Sequence, residues 1–194
     1  ASPLLIMVAA ITVVSVWDPL MNWAGYTSYD PRMFHFDVDW PWINLEPTVQ
    51  PWVAIWAYAG FFLIPAWFTL ALYKRLAQRA APSAFLVRRP RLALLAMSIP
   101  ICIVFDAVAE ALMVRAGIYS YAQVVPFGSI FVGEPWQFPL IWEAVLFGLV
   151  IAPTAPLMWV NDQNQTWGET FALRFKIFRG RPNLGAFAMS VLVF

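Results

Sequence analysis

Apolar positions along this chain fall in long unbroken blocks, not in the alternating or helical stripes of a water-soluble domain. Blocks of that length are what a bilayer selects, because a helix needs about 20 apolar residues to cross the hydrocarbon. Spans are predicted at about 3–17, 52–73, 92–116 and 139–160, and a fifth begins near 184 and runs through 194. Asp18-Pro19 marks a break at the end of the first, and Pro153 with Pro156 should kink the fourth. The expected fold is all-α: a polytopic transmembrane helical bundle with at least five spans, forming one integral membrane domain over 1–194. Both ends lie inside apolar runs, so the chain reads as part of a longer one.

Composition agrees, with 61% hydrophobic and 12% charged residues against about 25% charged in a soluble domain. Charge placement adds orientation. Lys74, Arg75, Arg79, Arg88, Arg89 and Arg91 follow the second span, and Arg174, Lys176, Arg179 and Arg181 follow the fourth. The positive-inside rule then puts both basic connections and the N-terminus in the cytoplasm, where the basic residues meet anionic lipid headgroups. The lone cysteine, Cys102, excludes an internal disulfide and a cysteine metal site. His35 has no second histidine to complete a metal site, and no phosphate loop, dinucleotide fingerprint or nucleic-acid signature is present.

The two segments that then face outward, 20–50 and 117–138, are unusually aromatic. The first sets Asp30, Asp37, Asp39 and Glu46 among Trp23, Tyr26, Tyr29, Phe34, Phe36, Trp40 and Trp42; the second carries Tyr119, Tyr121, Glu134 and Gln137. One reading is an interfacial belt of Trp and Tyr at headgroup level. The other is a lid over the outer mouth of the bundle, whose aromatic and amide groups suit an apolar oxygenated molecule. At the opposite face, the amide-rich run 161–166 is expected to cap a helix or to fix the segment that follows.

Acids inside the apolar spans carry the candidate chemistry. Asp106 and Glu110 lie one helical turn apart, so both side chains share a face that must point at protein or at a polar cavity. At 1.5 Å per residue Glu110 sits roughly 10 Å below the outward end of its span and Glu143 about 6 Å below the same surface. Asp18 closes the first span there, and Glu46 with Gln50 stands at the start of the second. Carboxyl groups gathered out of water cannot all stay ionised, since desolvation and mutual repulsion both favour the neutral form. A neutral acid beside an ionised one is what general acid and base chemistry needs. Three other uses compete: structural acids bonded to neighbouring helices, a proton or ion path, and pairing with Arg115.

The runs Asp106-Ala-Val-Ala-Glu110, Gly117-Ile-Tyr119-Ser-Tyr121, Gln137-Phe-Pro139 with Glu143, and Asn161-Asp162 with Thr166 and Glu169 form a recognisable set. With Trp17-Asp18-Pro19, Asn22, Tyr29 and Glu46-Pro47 upstream, the chain resembles the AveC-like spirocyclases of the avermectin pathway and their bacterial relatives. The resemblance implies a multi-pass enzyme of a bacterial cell membrane that closes a hydroxylated ketone into a spiroketal, with no bound cofactor or metal. It implies Glu110 or Asp106 as the acid and the other, or Glu143, as the base. Tyr119, Tyr121, Gln137, Glu46 and Asp18 would hold a lipophilic substrate. The alternative is an accessory or lipid-binding subunit of a larger membrane protein assembly. An enzyme should enclose the acids in a pocket of a few hundred Å³, whereas a subunit should pair them internally and expose an apolar patch.

Overall fold

The computed structural model describes residues 2–37, 42, 45 and 49–194. The apolar blocks are helices: α1 (Pro3–Val14), α2 (Asp18–Ala24), α3 (Trp52–Ala77), α4 (Phe85–Arg88), α5 (Pro90–Arg115), α6 (Leu146–Ile151), α7 (Thr154–Met158), α8 (Trp167–Ala172) and α9 (Pro182–Val193). Four stretches are long and apolar enough to cross a membrane: Pro3–Ala24, Trp52–Ala77, Pro90–Arg115 and Ile141–Met158. They are spans one to four below. The fifth expected span, α9, is a shorter apolar helix of 12 residues.

Span one does not stop at Asp18-Pro19. A single 3-10 turn, Ser15–Trp17, joins α1 to α2, and Pro19 sits in the first turn of α2. A proline there has no hydrogen bond to lose and its fixed φ already suits a helix. The helical path therefore carries Asp18 into the protein, where it is 4% exposed. The proline break in span four is present: α6 ends at Ile151, Pro153 precedes α7, and the Thr154 hydroxyl donates to the Ile151 carbonyl at 2.7 Å.

Span three is polar inside and apolar outside. Val104, Val108 and Leu112 form its exposed face, while Ser98, Cys102, Asp106 and Glu110 form its buried one. Water would select the reverse, whereas hydrocarbon penalises any unpaired polar group turned towards it by several kcal/mol. Apolar burial gives no drive for helices to associate inside lipid, so close packing has to supply it. Span four supplies it with small residues every fourth position: Ala144, Gly148 and Ala152 are all buried. A Cβ on Gly148 would lie 2.9 Å from the Ile103 Cα and 3.0 Å from its backbone N, so spans three and four meet almost backbone to backbone. Below the acids the interior is apolar, with Met7, Ile11, Phe62, Cys102 and Ile151 in one cluster and Phe194 edge-on to Phe62 at 4.8 Å.

Short strands tie the aromatic segments to the bundle. β1 (Thr27–Tyr29) pairs antiparallel with β4 (Tyr119–Tyr121), placing Thr27 opposite Tyr121 and Tyr29 opposite Tyr119. β2 (His35–Asp37) pairs with β3 (Val49–Pro51), which runs directly into span two. At the other end the amide run is structural. Asn161 Oδ1 accepts from the Gln163 and Gln165 backbone N–H groups, and Thr166 and Glu169 form a reciprocal capping box at the start of α8.

Gly148→Ala should force spans three and four apart, because the new methyl meets backbone and cannot be accommodated by a rotamer change. A loss of about 1–3 kcal/mol is expected, read as a lower Tm of the detergent-solubilised protein. An unchanged Tm would contradict the close packing.

Candidate functional site

The end of span three sets the geometry of the site. Gly117 adopts φ +72°, its N–H bonds to the Val114 carbonyl at 3.0 Å, and the Ile118 N–H bonds to the Met113 carbonyl at 3.1 Å. This Schellman closure stops the helix and reverses the chain into β4. Strand alternation then turns Tyr119 and Tyr121 inward and leaves Ser120 exposed. Tyr29 packs edge-on against Tyr119 at 5.6 Å, and Tyr121 against Phe138 at 6.0 Å. The paired strands make an aromatic roof over the bundle.

Beneath that roof lies a cavity of about 310 Å³. Span one lines it with Asp18, span two with Tyr58, span three with Glu110 and span four with Glu143; Asn22, Thr27, Tyr29, Tyr119 and Tyr121 complete its polar wall. Ala57, Phe61, Met113 and Phe147 are among the apolar groups of the same wall. Its volume is at the lower end of the ~300–1,000 Å³ of small-molecule sites, and its mixture of apolar wall and few polar groups is typical of them.

The three acids are held differently. Asp18 accepts from Gln50 Nε2 at 2.8 Å, from the Tyr58 hydroxyl in a short bond, and from the Tyr29 hydroxyl at 3.4 Å. Gln50 is placed by β3, whose pairing with β2 sets Gln50 opposite Phe36. Glu110 and Glu143 share one neighbour, since the Tyr121 hydroxyl reaches both. Glu143 rides on a π-helical turn, Ile141–Val145, that opens span four; such turns recur at functional sites because the wider coil re-aims a side chain.

The remaining expected positions fall elsewhere. Asp106 is fully buried one turn below Glu110 and does not line the cavity; both its carboxyl oxygens lack a hydrogen-bond partner among the described residues. Gln137 acts on the roof, donating from Nε2 to the Tyr121 carbonyl at 2.8 Å and accepting the Gly133 N–H at 3.2 Å. Glu46 lies outside the described residues. Arg115 packs over Trp136 at 4.9 Å from the ring centroid, a cation-π contact. At the surface Arg32 pairs with Asp30 at 2.6 Å, and its hydrogen bonds lower the Asp30 carboxyl to about 2.

Sequence reasoning missed Tyr58 and gave no role to Thr27. Tyr58 had a legible signal, a hydroxyl deep in an apolar span, where it needs a partner. Thr27 had none, because only the pairing of β1 with β4 brings it to the wall. Burial, with Asp18 and Glu110 nearby, holds the Tyr29 hydroxyl well above the ordinary tyrosine range, and burial beside Glu143 and Glu110 does the same for Tyr121. Both remain proton-bearing donors at any physiological pH. The Tyr119 hydroxyl is buried on the cavity wall without a hydrogen-bond partner among the described residues, and an unmatched buried donor costs about 1–3 kcal/mol until something satisfies it.

A family model described as Spirocyclase AveC-like matches residues 1–194, the full length of the chain. No curated protein and no solved structure matches it.

Gln50→Leu should leave the buried Asp18 Oδ2 with only the long Tyr29 bond and lower stability by about 1–3 kcal/mol, measured by thermal or denaturant unfolding in detergent. In a spectrophotometric titration, Tyr29→Phe and Tyr121→Phe should leave the phenolate absorbance gained near pH 10 unchanged. A matching fall in that amplitude would mean the ring ionises normally.

Proposed function

The chain belongs to the AveC-like spirocyclase family, and we propose from that membership and from the lining of the cavity that it is a membrane-embedded cyclase. It acts on a lipophilic oxygenated substrate by acid-base catalysis, closing a dihydroxyketone to a spiroketal or carrying out a related cyclisation with loss of water. One observation supports this reading above the others: acids from three spans line a single cavity together with four tyrosines. An accessory or lipid-binding subunit would pair its acids within the protein, as Asp18 is paired, whereas Glu110 and Glu143 line the cavity.

The chemistry asks for a proton donor, a proton acceptor and little water. In the first step one hydroxyl oxygen adds to the ketone carbon; its proton passes to a carboxylate while a carboxylic acid protonates the carbonyl oxygen, giving a hemiketal. The hemiketal hydroxyl is then protonated and leaves as water. The second hydroxyl attacks the resulting oxocarbenium carbon and loses its proton to the carboxylate. One water is released and no electrons are exchanged.

Glu110 and Glu143 are the proposed donor and acceptor, because both face the cavity and both meet Tyr121. Two carboxyl groups sharing a site can pass one proton between them across successive steps. The tyrosine rings lie close to the developing positive carbon, and the Tyr29 and Tyr58 hydroxyls are committed to Asp18. Asp18, with three hydrogen-bond donors on it, orients the Tyr29 and Tyr58 hydroxyls on the cavity wall. Asp106, beneath the wall and coupled electrostatically to Glu143, is a positioning residue. Tyr119 offers its unmatched hydroxyl to a substrate oxygen, and Gln137 acts through Tyr121.

The test is turnover of a lipophilic dihydroxyketone by membranes containing the protein, with product followed by chiral chromatography. Glu110→Gln and Glu143→Gln should each lower kcat by about 10²–10⁴-fold with little change in expression. Asp106→Asn should lower it less and move the pH profile. Turnover at the full rate in the Glu110→Gln, Glu143→Gln double variant would overturn the mechanism.

A further inference from the structure

A second concavity adjoins the first. It is a groove of about 640 Å³ between the end of α2 and the segments around 123–126 and 139–143. Ala24, Val124, Val125, Pro126 and Trp142 give it an apolar wall, and Val125 and Trp142 are about half exposed. Met21, Tyr121 and Glu143 line both the groove and the acidic cavity. At these three positions a single residue separates the two chambers, and one of the three is a proposed proton carrier.

The groove wall is also held at a conformational cost. Tyr26 has φ 56°, a left-handed backbone that glycine adopts freely and a bulky residue does not. The Ala122 N–H donates to the Tyr26 carbonyl at 2.8 Å and so ties this residue to the strand that carries Tyr121. The tyrosine ring, 56% exposed, stands on the groove and not in the cavity. The backbone is thus strained at a position that adds aromatic surface to the groove.

Resting on the cyclase reading, we infer that cavity and groove are one bipartite site for a single long amphiphile. The oxygenated, reacting end lies among Glu110, Glu143 and the tyrosines, and an extended apolar chain leaves past Met21, Tyr121 and Glu143 into the groove. The uneven division of carboxyl groups selects this occupant: Asp18, Glu110 and Glu143 line the cavity, whereas the groove meets only Glu143, at the shared edge. A plain hydrocarbon or acyl chain reaching inward would lie against carboxyl and hydroxyl groups, which costs free energy without compensation. A small polar molecule would leave the larger apolar chamber unused. The reacting end is consequently carried on a long apolar chain held by the groove, and a compact dihydroxyketone fills the cavity alone.

Two synthetic dihydroxyketones with the same reacting end test this, one bearing a long alkyl chain and one cut back to a methyl group. Ala24→Trp and Val125→Trp fill the groove from positions that do not line the cavity. Each should reduce the ratio of kcat/KM for the long over the short substrate by at least about tenfold, as expected when several methylenes lose their pocket. An unchanged ratio overturns the inference. A binding readout separates it from the cyclase reading: the long ketone carrying a diazirine at its chain end is photolysed on the protein and the labelled peptides are identified. Label at 121–126 or 139–142, competed by the unlabelled long ketone and not by a headless alkane of equal length, supports the bipartite site even if no product forms. Label elsewhere, or equal competition by the alkane, overturns it even if the short ketone is cyclised.

Discussion

The close approach of spans three and four is the contact on which the site depends. In a bilayer the apolar side chains gain nothing by leaving lipid for protein, so helices associate where their surfaces fit. Gly148 removes the side chain that would hold the two backbones apart, with Ile103 packed directly against it, and Ala144 and Ala152 are buried one turn to either side. That contact sets Glu143, the residue before Ala144, towards the face of span three that carries Asp106 and Glu110. Without it each acid would have to find its partners within its own helix.

The aromatic roof solves a second problem, which is how to end polar helices without flooding the acids. Gly117 reverses the chain two residues past the end of α5, and β4 returns across the mouth of the bundle. Pairing with β1 satisfies its backbone groups, since an unpaired strand there would expose polar groups to an apolar setting. The strand period of two then presents Tyr119 and Tyr121 to the cavity. Gln137 fixes Tyr121 from the far side. Catalysis of the proposed kind would rest on this rigidity, because a proton passes between groups only when their positions are held within a fraction of an ångström.

Much of the fold was legible in the chain. Helix positions followed from uninterrupted apolar length, and the acids stood out because a carboxyl group in hydrocarbon needs a reason. The stop placed at Asp18-Pro19 shows where local reasoning fails. A proline forbids a helix interior but suits a helix start, and a 3-10 turn converted one into the other. The consequence was functional, since continuing the helix carried Asp18 beneath the roof. Asp106 shows the converse. Its spacing from Glu110 correctly put both on one face, but depth along that face divided them, so one lines the cavity and the other lies beneath it.

What the sequence determined by itself was the solvent each segment prefers and the face each helical side chain shares, because both depend on local composition and on the 3.6-residue turn. It also identified the family, through motifs that stay in register along the chain. The tertiary structure alone decided which polar groups meet. Asp18 and Thr27 come from one stretch and Gln50 and Tyr58 from another, and the two converge only through helix packing and strand pairing. The same holds for the partition that makes Glu143 and Tyr121 common to two chambers. Such proximities depend on distances between elements, and those are set by how surfaces fit and not by any property of a residue and its neighbours in the chain.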